Sequence, residues 1–259
     1  MRACAGETPV ARQKYSQTMS GEILVTGATG GIGREIAKAL ASMGESLILG
    51  SRNVDKAERL IAELSGRHEV VYLDLTDEGS VRDAASALAD KNLKGVINNA
   101  GTMERHFRTD AQGREITMVV NYLNTRLLTE LLLPRLKEGS RIVFTSSLTR
   151  FAAPWHDRTE ISEKEFNQIF TYALSKKLLT RYASELSKRL SPRGIGVNCM
   201  DPGIVNTGMI HMDRWFDSLA DVLLRPFLRS PKKGAEPALR AYTSAETGLI
   251  YCRRCTHRL

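Results

Sequence analysis

Residues 22–33 read Glu-Ile-Leu-Val-Thr-Gly-Ala-Thr-Gly-Gly-Ile-Gly. The first five form an apolar, partly β-branched run, the pattern of a buried strand. Four glycines then fall within residues 27–33. Ile32, Ile36, Leu40 and Met43 follow at helical spacing. A strand, a glycine-rich turn and a helix in that order open a βαβ unit. Glycines let the backbone turn tightly and approach a pyrophosphate. The helix N-terminus offers that anion free N–H groups and a positive partial charge. Gly27, Thr29, Gly30, Gly31, Ile32 and Gly33 are therefore read as a phosphate-binding loop.

The same alternation continues outward. Further strand-like runs stand at residues 46–50, 69–73, 94–98, 141–145 and 195–200, with a seventh candidate at 248–252. Helical periodicity separates them, as in Val54, Ala57, Ile61 and Leu64, and in long stretches near 113–137 and 166–190. Strands joined through helices require right-handed crossovers and a parallel sheet. The runs are continuously apolar, so the sheet is covered on both faces. The expected fold is α/β: a doubly wound parallel sheet of about seven strands with helices on both faces, in a single domain over residues 21–251. In such sheets ligands lie beyond the carboxyl ends of the strands. The chemistry is expected just after each strand.

Composition excludes other classes. The chain has 259 residues, 42% hydrophobic and 25% charged, enough for one core without staples. No apolar run approaches the roughly 20 residues of a membrane span. Residues 1–20 lack an apolar segment and read as a basic tail rather than a signal peptide. Residues 252–259 read as a second basic tail. The two ends carry much of the net charge of +8, which leaves no broad footprint for nucleic acid. Four cysteines make no disulfide framework, so a reducing compartment, most simply the cytoplasm, is expected. Cys252, Cys255 and His257 look like half a zinc site. A structural zinc takes four ligands and no second pair is spaced to complete it, so no metal is expected.

Two further groups carry chemistry. The second strand run ends Gly50-Ser51-Arg52. No carboxylate stands there to accept the ribose 2′-hydroxyl of NAD, whereas Arg52 suits the 2′-phosphate of NADP. NADP(H) is therefore favoured over NAD(H). Tyr172-Ala173-Leu174-Ser175-Lys176 puts a phenol and an ammonium on one helical face. A nearby cation favours the phenolate. Bringing a tyrosine from a pKa of about 10 toward about 7 takes roughly 4 kcal/mol. A phenol tuned in this way exchanges a proton with an oxygen near neutral pH.

These residues, with Asn98-Asn99-Ala100-Gly101, Ser146-Ser147 and residues 201–207 (Asp-Pro-Gly-Ile-Val-Asn-Thr), resemble the short-chain dehydrogenase/reductase family, a Rossmann-fold family. The resemblance is to its compact branch and, within it, to the retinol-dehydrogenase-like subgroup. The 25-residue interval from Ser147 to Tyr172, Arg52 and the leucine-rich 127–134 carry that subgroup likeness. The glycine run itself fits both the compact and the extended pattern. The resemblance implies a catalytic tetrad: Tyr172 as acid/base, Ser147 polarising the substrate oxygen, Lys176 tuning Tyr172 and binding the nicotinamide ribose, and Asn121 holding a water that links Lys176 to solvent. It implies cofactor contacts at Ser51, Arg52, Asp74, Leu75, Asn99, Ala100, Gly101, Tyr172, Lys176, Pro202, Gly203, Val205 and Thr207.

The implied activity is hydride transfer between a nicotinamide and a carbonyl or alcohol of a small substrate. Aromatic and aliphatic residues at 148–166 and in a lid at 206–228 point to a lipophilic substrate or, alternatively, to plain packing of the lid. The competing reading of the whole chain is a non-catalytic NADP-binding scaffold or sensor on the same fold. The resemblance implies that the long helices near 113–137 and 166–190 pair across a two-fold axis; their outward faces mix Leu127, Leu131, Leu178 and Tyr182 with Arg126, Arg181 and Lys188, and a homodimer or homotetramer is the expectation.

Overall fold

The computed structural model describes residues 20–153, 156–203 and 230–259. The N-terminal tail up to residue 19, Trp155, the lid 206–228, Val205 and Thr207 lie outside the described residues.

The first βαβ unit comprises β1 (Glu22–Thr26), α1 (Gly31–Ser42) and β2 (Ser46–Ser51). It is followed by α2 (Val54–Ala62), β3 (His68–Tyr72), α3 (Glu78–Ala87) and β4 (Leu93–Asn98). Then come α4 (Ile116–Met118), a π-helical turn at Val119–Leu123, and α5 (Asn124–Leu132). The second half holds β5 (Leu136–Thr145), α6 (Gln168–Leu190), β6 (Gly196–Met200), α7 (Pro231–Thr243), β7 (Leu249–Tyr251) and β8 (Thr256–Arg258). The sheet order is β3-β2-β1-β4-β5-β6-β7-β8, parallel except for the last pair. The order reverses between β1 and β4, the point where a doubly wound sheet opens a ligand crevice.

Why the strands lack alternation is plain from the two cores. Leu24, Ile48, Val96, Ile142 and Phe144 face one side, with Leu128, Leu132, Leu179 and Leu186 from α5 and α6. Ile23, Val25, Leu47, Leu49 and Val143 face the other, with Ile36 and Leu40 from α1 and Ala238 and Ala241 from α7. Successive side chains point to opposite faces, and both faces are dry, so every position must be apolar.

Two expectations need correction. The sheet has eight strands, and part of the segment read as a C-terminal tail is the eighth. Thr256, His257 and Arg258 are all exposed, so no apolar pattern marks them as a strand. Backbone bonds hold the hairpin: Cys252 N–H donates to Cys255 O at 2.9 Å, and Leu259 N–H to Gly248 O at 2.8 Å. Leu178 and Tyr182 are not outward-facing. Both are buried in the chain's own core, and the Tyr182 hydroxyl donates to Glu130 at 2.8 Å. Leu127 and Leu131 are also packed against that core.

Among the described residues, no helix is long and apolar enough to cross a membrane.

Candidate active site

The glycine loop leaves β1 through Gly27, whose φ of 66° is a left-handed conformation that glycine adopts without strain. Gly33 brings α1 against that turn: a Cβ there would stand 2.2 Å from Gly27 O and 2.6 Å from Asn99 Nδ2. At Gly30 a Cβ would meet only Gly27 O, at 3.9 Å, so the loop's outer surface is open. Side chains of Asn53, Asp77, Asn167 and Ser230 cap α2, α3, α6 and α7, but none caps α1 at Gly30. The first N–H groups of α1 thus point at open space beyond β1, and the loop fits a bound pyrophosphate.

The Asn98–Gly101 turn braces this loop. Asn99 Nδ2 donates to Thr26 O at 3.1 Å and Gly27 O at 3.3 Å. The N–H groups of Asn99 and Ala100 both donate to Thr26 Oγ1, at 3.1 Å. At the end of β2, Ser51 is buried and its hydroxyl donates to Asn53 O at 3.0 Å, shaping the turn. Arg52 is exposed, and among the described residues no carboxylate pairs with it. Asp74 Oδ1 accepts from the Thr76 N–H and hydroxyl, both at 2.9 Å, and Leu75 O accepts from Asn124 Nδ2 at 2.9 Å. Both are fixed beyond β3.

The tetrad converges. Ser147, half-buried beyond β5, caps a short 3₁₀ turn at Leu148–Ala152. Its Oγ accepts from the Thr149 N–H at 3.3 Å and from the Thr149 hydroxyl at 2.9 Å. Two accepted bonds leave its own proton free to donate, and it lies close enough to Tyr172 on α6 to favour the phenolate. Ser146 is buried and faces Thr180 instead, with the two hydroxyl oxygens 2.7 Å apart. One turn along α6, buried Lys176 Nζ donates to Thr145 O at 2.9 Å and lies 5.7 Å from the Tyr172 ring centre.

Asn121 sits in the π-helical turn, a widened turn of the kind often found at functional sites. Its Oδ1 accepts from Thr102 N–H at 2.8 Å, while Nδ2 donates to Thr102 O at 2.9 Å and Ser175 Oγ at 3.0 Å. Both amide protons are therefore committed to the protein. Gly101 lies between the two halves of the tetrad: a Cβ would stand 3.1 Å from Asn121 Oδ1 and 3.3 Å from Lys176 Nζ.

Electrostatics departs from the sequence expectation at Tyr172. In the protein chain, burial pushes its hydroxyl up to about 12; the nearby Ser147 hydroxyl opposes the shift and Asp201 adds to it. Lys176 Nζ, turned to Thr145 O and 5.7 Å from the ring centre, does not offset that burial. Burial in turn lowers Lys176 to about 8. Cys199 is buried, and burial raises its thiol to about 12, as befits a core thiol.

Sequence reasoning missed the brace beneath Ser147. Arg150 Nη1 donates to Ser147 O at 2.8 Å and to Asp201 Oδ2 at 2.9 Å. Asp201 Oδ1 accepts from Gly203 N–H at 2.9 Å, and Gly203 turns with φ 71°. One ion pair thus ties the β5 end to the Pro202-Gly203 turn beyond β6. The available signal was position: Arg150 is three residues past Ser147, and Asp201 directly precedes Pro202. On the surface nearby, Asp157 pairs with Lys177 and Arg181, and Arg158 with Glu165.

The family profile described as short chain dehydrogenase matches residues 22–215, three quarters of the chain. The chain belongs to the short-chain dehydrogenase family. Human retinol dehydrogenase 11 is 35% identical over 229 residues, covering 84% of this chain and 71% of the relative. Human polyprenol dehydrogenase is 33% identical over 239 residues, covering 86% and 72%. These relatives bear out the retinol-dehydrogenase-like likeness. Among solved structures, a protein from Mycobacterium paratuberculosis superposes with TM-score 0.73 at 26% identity, covering 93% of this chain and 85% of that one. A Burkholderia cenocepacia short-chain dehydrogenase in complex with NADP has the same fold, with TM-score 0.73 at 24% identity over 89% and 94%. This short-chain dehydrogenase is therefore an oxidoreductase with a nucleotide-binding Rossmann fold.

Proposed function

We propose that this short-chain dehydrogenase is an NADP(H)-dependent enzyme that interconverts a carbonyl and an alcohol on a small lipophilic substrate. The observation that carries the reading is the placing of Tyr172 close to Ser147, with buried Lys176 Nζ 5.7 Å from the Tyr172 ring centre. A scaffold without chemistry has no need to bury a lysine there, a costly placement.

The dinucleotide would lie along the uncapped N-terminus of α1, with Arg52 at its 2′-phosphate and the Asn98–Gly101 and Pro202–Gly203 turns beneath its nicotinamide end. When bound, it supplies a hydride for reduction or accepts one in oxidation. In reduction, Tyr172 Oη gives its proton to the substrate oxygen, and Ser147 Oγ–H donates a hydrogen bond to the same oxygen. The high phenol pKa keeps that proton in place until it is needed. Lys176 has two N–H bonds left after Thr145, and one of them would hold the ribose of the bound dinucleotide. Asn121 holds Thr102 and Ser175 in place. Any relay through its side chain uses the oxygen, because both amide protons are committed.

A lipophilic substrate is supported by the rim. Leu148 and Phe151 follow Ser147, Ile169 and Phe170 precede Tyr172, and all four are exposed. Apolar side chains grouped on the elements that carry the catalytic hydroxyls suit an apolar ligand. The relatives named for retinol and polyprenol favour the same class.

The test is a titration with NADPH and with NADH, followed by nicotinamide fluorescence, in wild type and Arg52→Ala. NADPH is expected to bind wild type more tightly, and Arg52→Ala to weaken NADPH by about tenfold or more while sparing NADH. Equal binding of the two by wild type refutes the NADP assignment.

A further inference from the structure

The β7–β8 hairpin brings Cys252, Cys255 and His257 together, with one potential ligand atom from each lying within 4.8 Å of the others. His257 Nε2 is 3.2 Å from Cys255 Sγ. The donors are held in place before any ion arrives. Cys252 N–H donates to Cys255 O at 2.9 Å across the turn, and Arg240 Nη1 donates to Cys252 O at 3.0 Å. Arg240 Nη2 also donates to Thr256 Oγ1 at 3.1 Å, tying the second strand of the hairpin to α7.

We propose that this hairpin binds one zinc-class divalent cation through Cys252 Sγ, Cys255 Sγ and His257, with a solvent-filled fourth position. Two thiolates and an imidazole are soft-to-borderline donors that select zinc-like ions over magnesium or calcium. Tetrahedral zinc with bonds near 2.1–2.3 Å sets its donors roughly 3.5–4 Å apart, so a contraction of at most about 1.3 Å closes the set. Three protein ligands plus water are a recognised zinc arrangement. The expectation of no metal rested on a requirement for four protein donors, and the proposal lets solvent supply the fourth. Asp201, whose charge acts on Cys252, does not complete the set: Arg150 takes Oδ2 and the Gly203 N–H takes Oδ1. The arginines at 240, 253, 254 and 258 would repel a bare cation. Two thiolates cancel the ion's charge, so the filled site adds none to this basic surface. The two thiol protons pass to solvent on binding.

The test uses the full chain, stripped by chelator, reduced with a phosphine and titrated with Co²⁺. One equivalent is expected to bind with a thiolate-to-cobalt charge-transfer band and tetrahedral d–d bands, both bleached by Zn²⁺. Cys252→Ser should abolish the charge-transfer band. His257→Ala, at an exposed position, should keep the native circular dichroism yet weaken Zn²⁺ about 100-fold in competition with a chromophoric chelator. An undiminished band in Cys252→Ser would place the metal on other thiols and overturn the proposal. So would failure of the reduced wild type to take up cobalt, including the case where mass spectrometry finds a Cys252–Cys255 disulfide before reduction.

Discussion

The two halves of the sheet build their share of the site by opposite means. The β1–β3 half works through backbone and empty space: glycines at 27, 30 and 33, an uncapped helix end and one exposed arginine. The β4–β6 half works through buried side chains, with Asn121 and Lys176 in the interior and Ser147 and Tyr172 at its edge. The first half can recognise an anion without any titrating group of its own. In the proposed reaction the second moves the proton, and burial shifts its titrating groups, Tyr172 upward and Lys176 downward. Binding and chemistry are therefore separable by mutation.

The sharpest separation is expected at Tyr172. Tyr172→Phe removes one hydroxyl from the chemical half and should lower kcat/KM about 1,000-fold, the usual range for a general acid. NADPH affinity, measured by fluorescence, should stay within about twofold. Loss of affinity on the same scale as activity would mean that the halves are not independent.

Gly33→Ala makes the reciprocal cut. Its Cβ would stand 2.2 Å from a backbone oxygen, which cannot swing aside as a side-chain end can. In an ordinary helix this exchange is stabilising by up to about 1 kcal/mol. Here α1 must shift from the β1 turn, and about an ångström of displacement should weaken NADPH binding about 100-fold. Unchanged affinity would show that the loop yields and that Gly33 is not setting the helix position.

How much of this was legible beforehand follows the same division. The glycine loop, Asn98–Gly101 and the Tyr172/Lys176 pair were readable because the proposed chemistry would dictate residue type there, whatever surrounds it. The direction of the Tyr172 shift was not. It depends on how deeply the phenol is buried and on Lys176 turning to Thr145 O, both tertiary facts. Leu178 and Tyr182 were readable as apolar, but periodicity does not say whether an apolar stripe meets its own core or another chain. Strand β8 has three exposed polar residues and is held by backbone bonds, which leave no trace in hydropathy. The Arg150–Asp201 pair joins positions 51 residues apart, beyond any local pattern.

The pH profile tests the chemical half without mutation. Lys176 is lowered to about 8, so its charge is present below that pH and is lost as pH rises through it. Tyr172, held near 12, keeps its proton throughout this range. For carbonyl reduction, kcat/KM is expected to be flat up to about pH 8 and to fall above it, by no more than about tenfold per unit. The fall belongs to the lysine, so Tyr172→Phe should retain it at its much lower level. A profile still rising at pH 9 would exclude this assignment.

The smallest effect concerns the rim, where neither half acts. Phe151 is 78% exposed, so Phe151→Ser removes no core contact and should leave thermal stability unchanged. If the ring covers part of a lipophilic substrate, about 40 Å² of apolar contact is lost, worth roughly 1 kcal/mol. That predicts a KM about fivefold higher for a long-chain or ring-bearing carbonyl, with kcat nearly constant. A short, polar carbonyl makes no such contact, and its KM should not move. An equal rise for both substrates would mean that Phe151 supports the Ser147 turn instead. Arg150 makes that alternative concrete: its guanidinium lies 4.2 Å from the Phe151 ring centre while it holds Ser147 O. A substrate-dependent KM at constant kcat would therefore assign the ring to recognition, whereas a fall in kcat with both substrates would assign it to the brace.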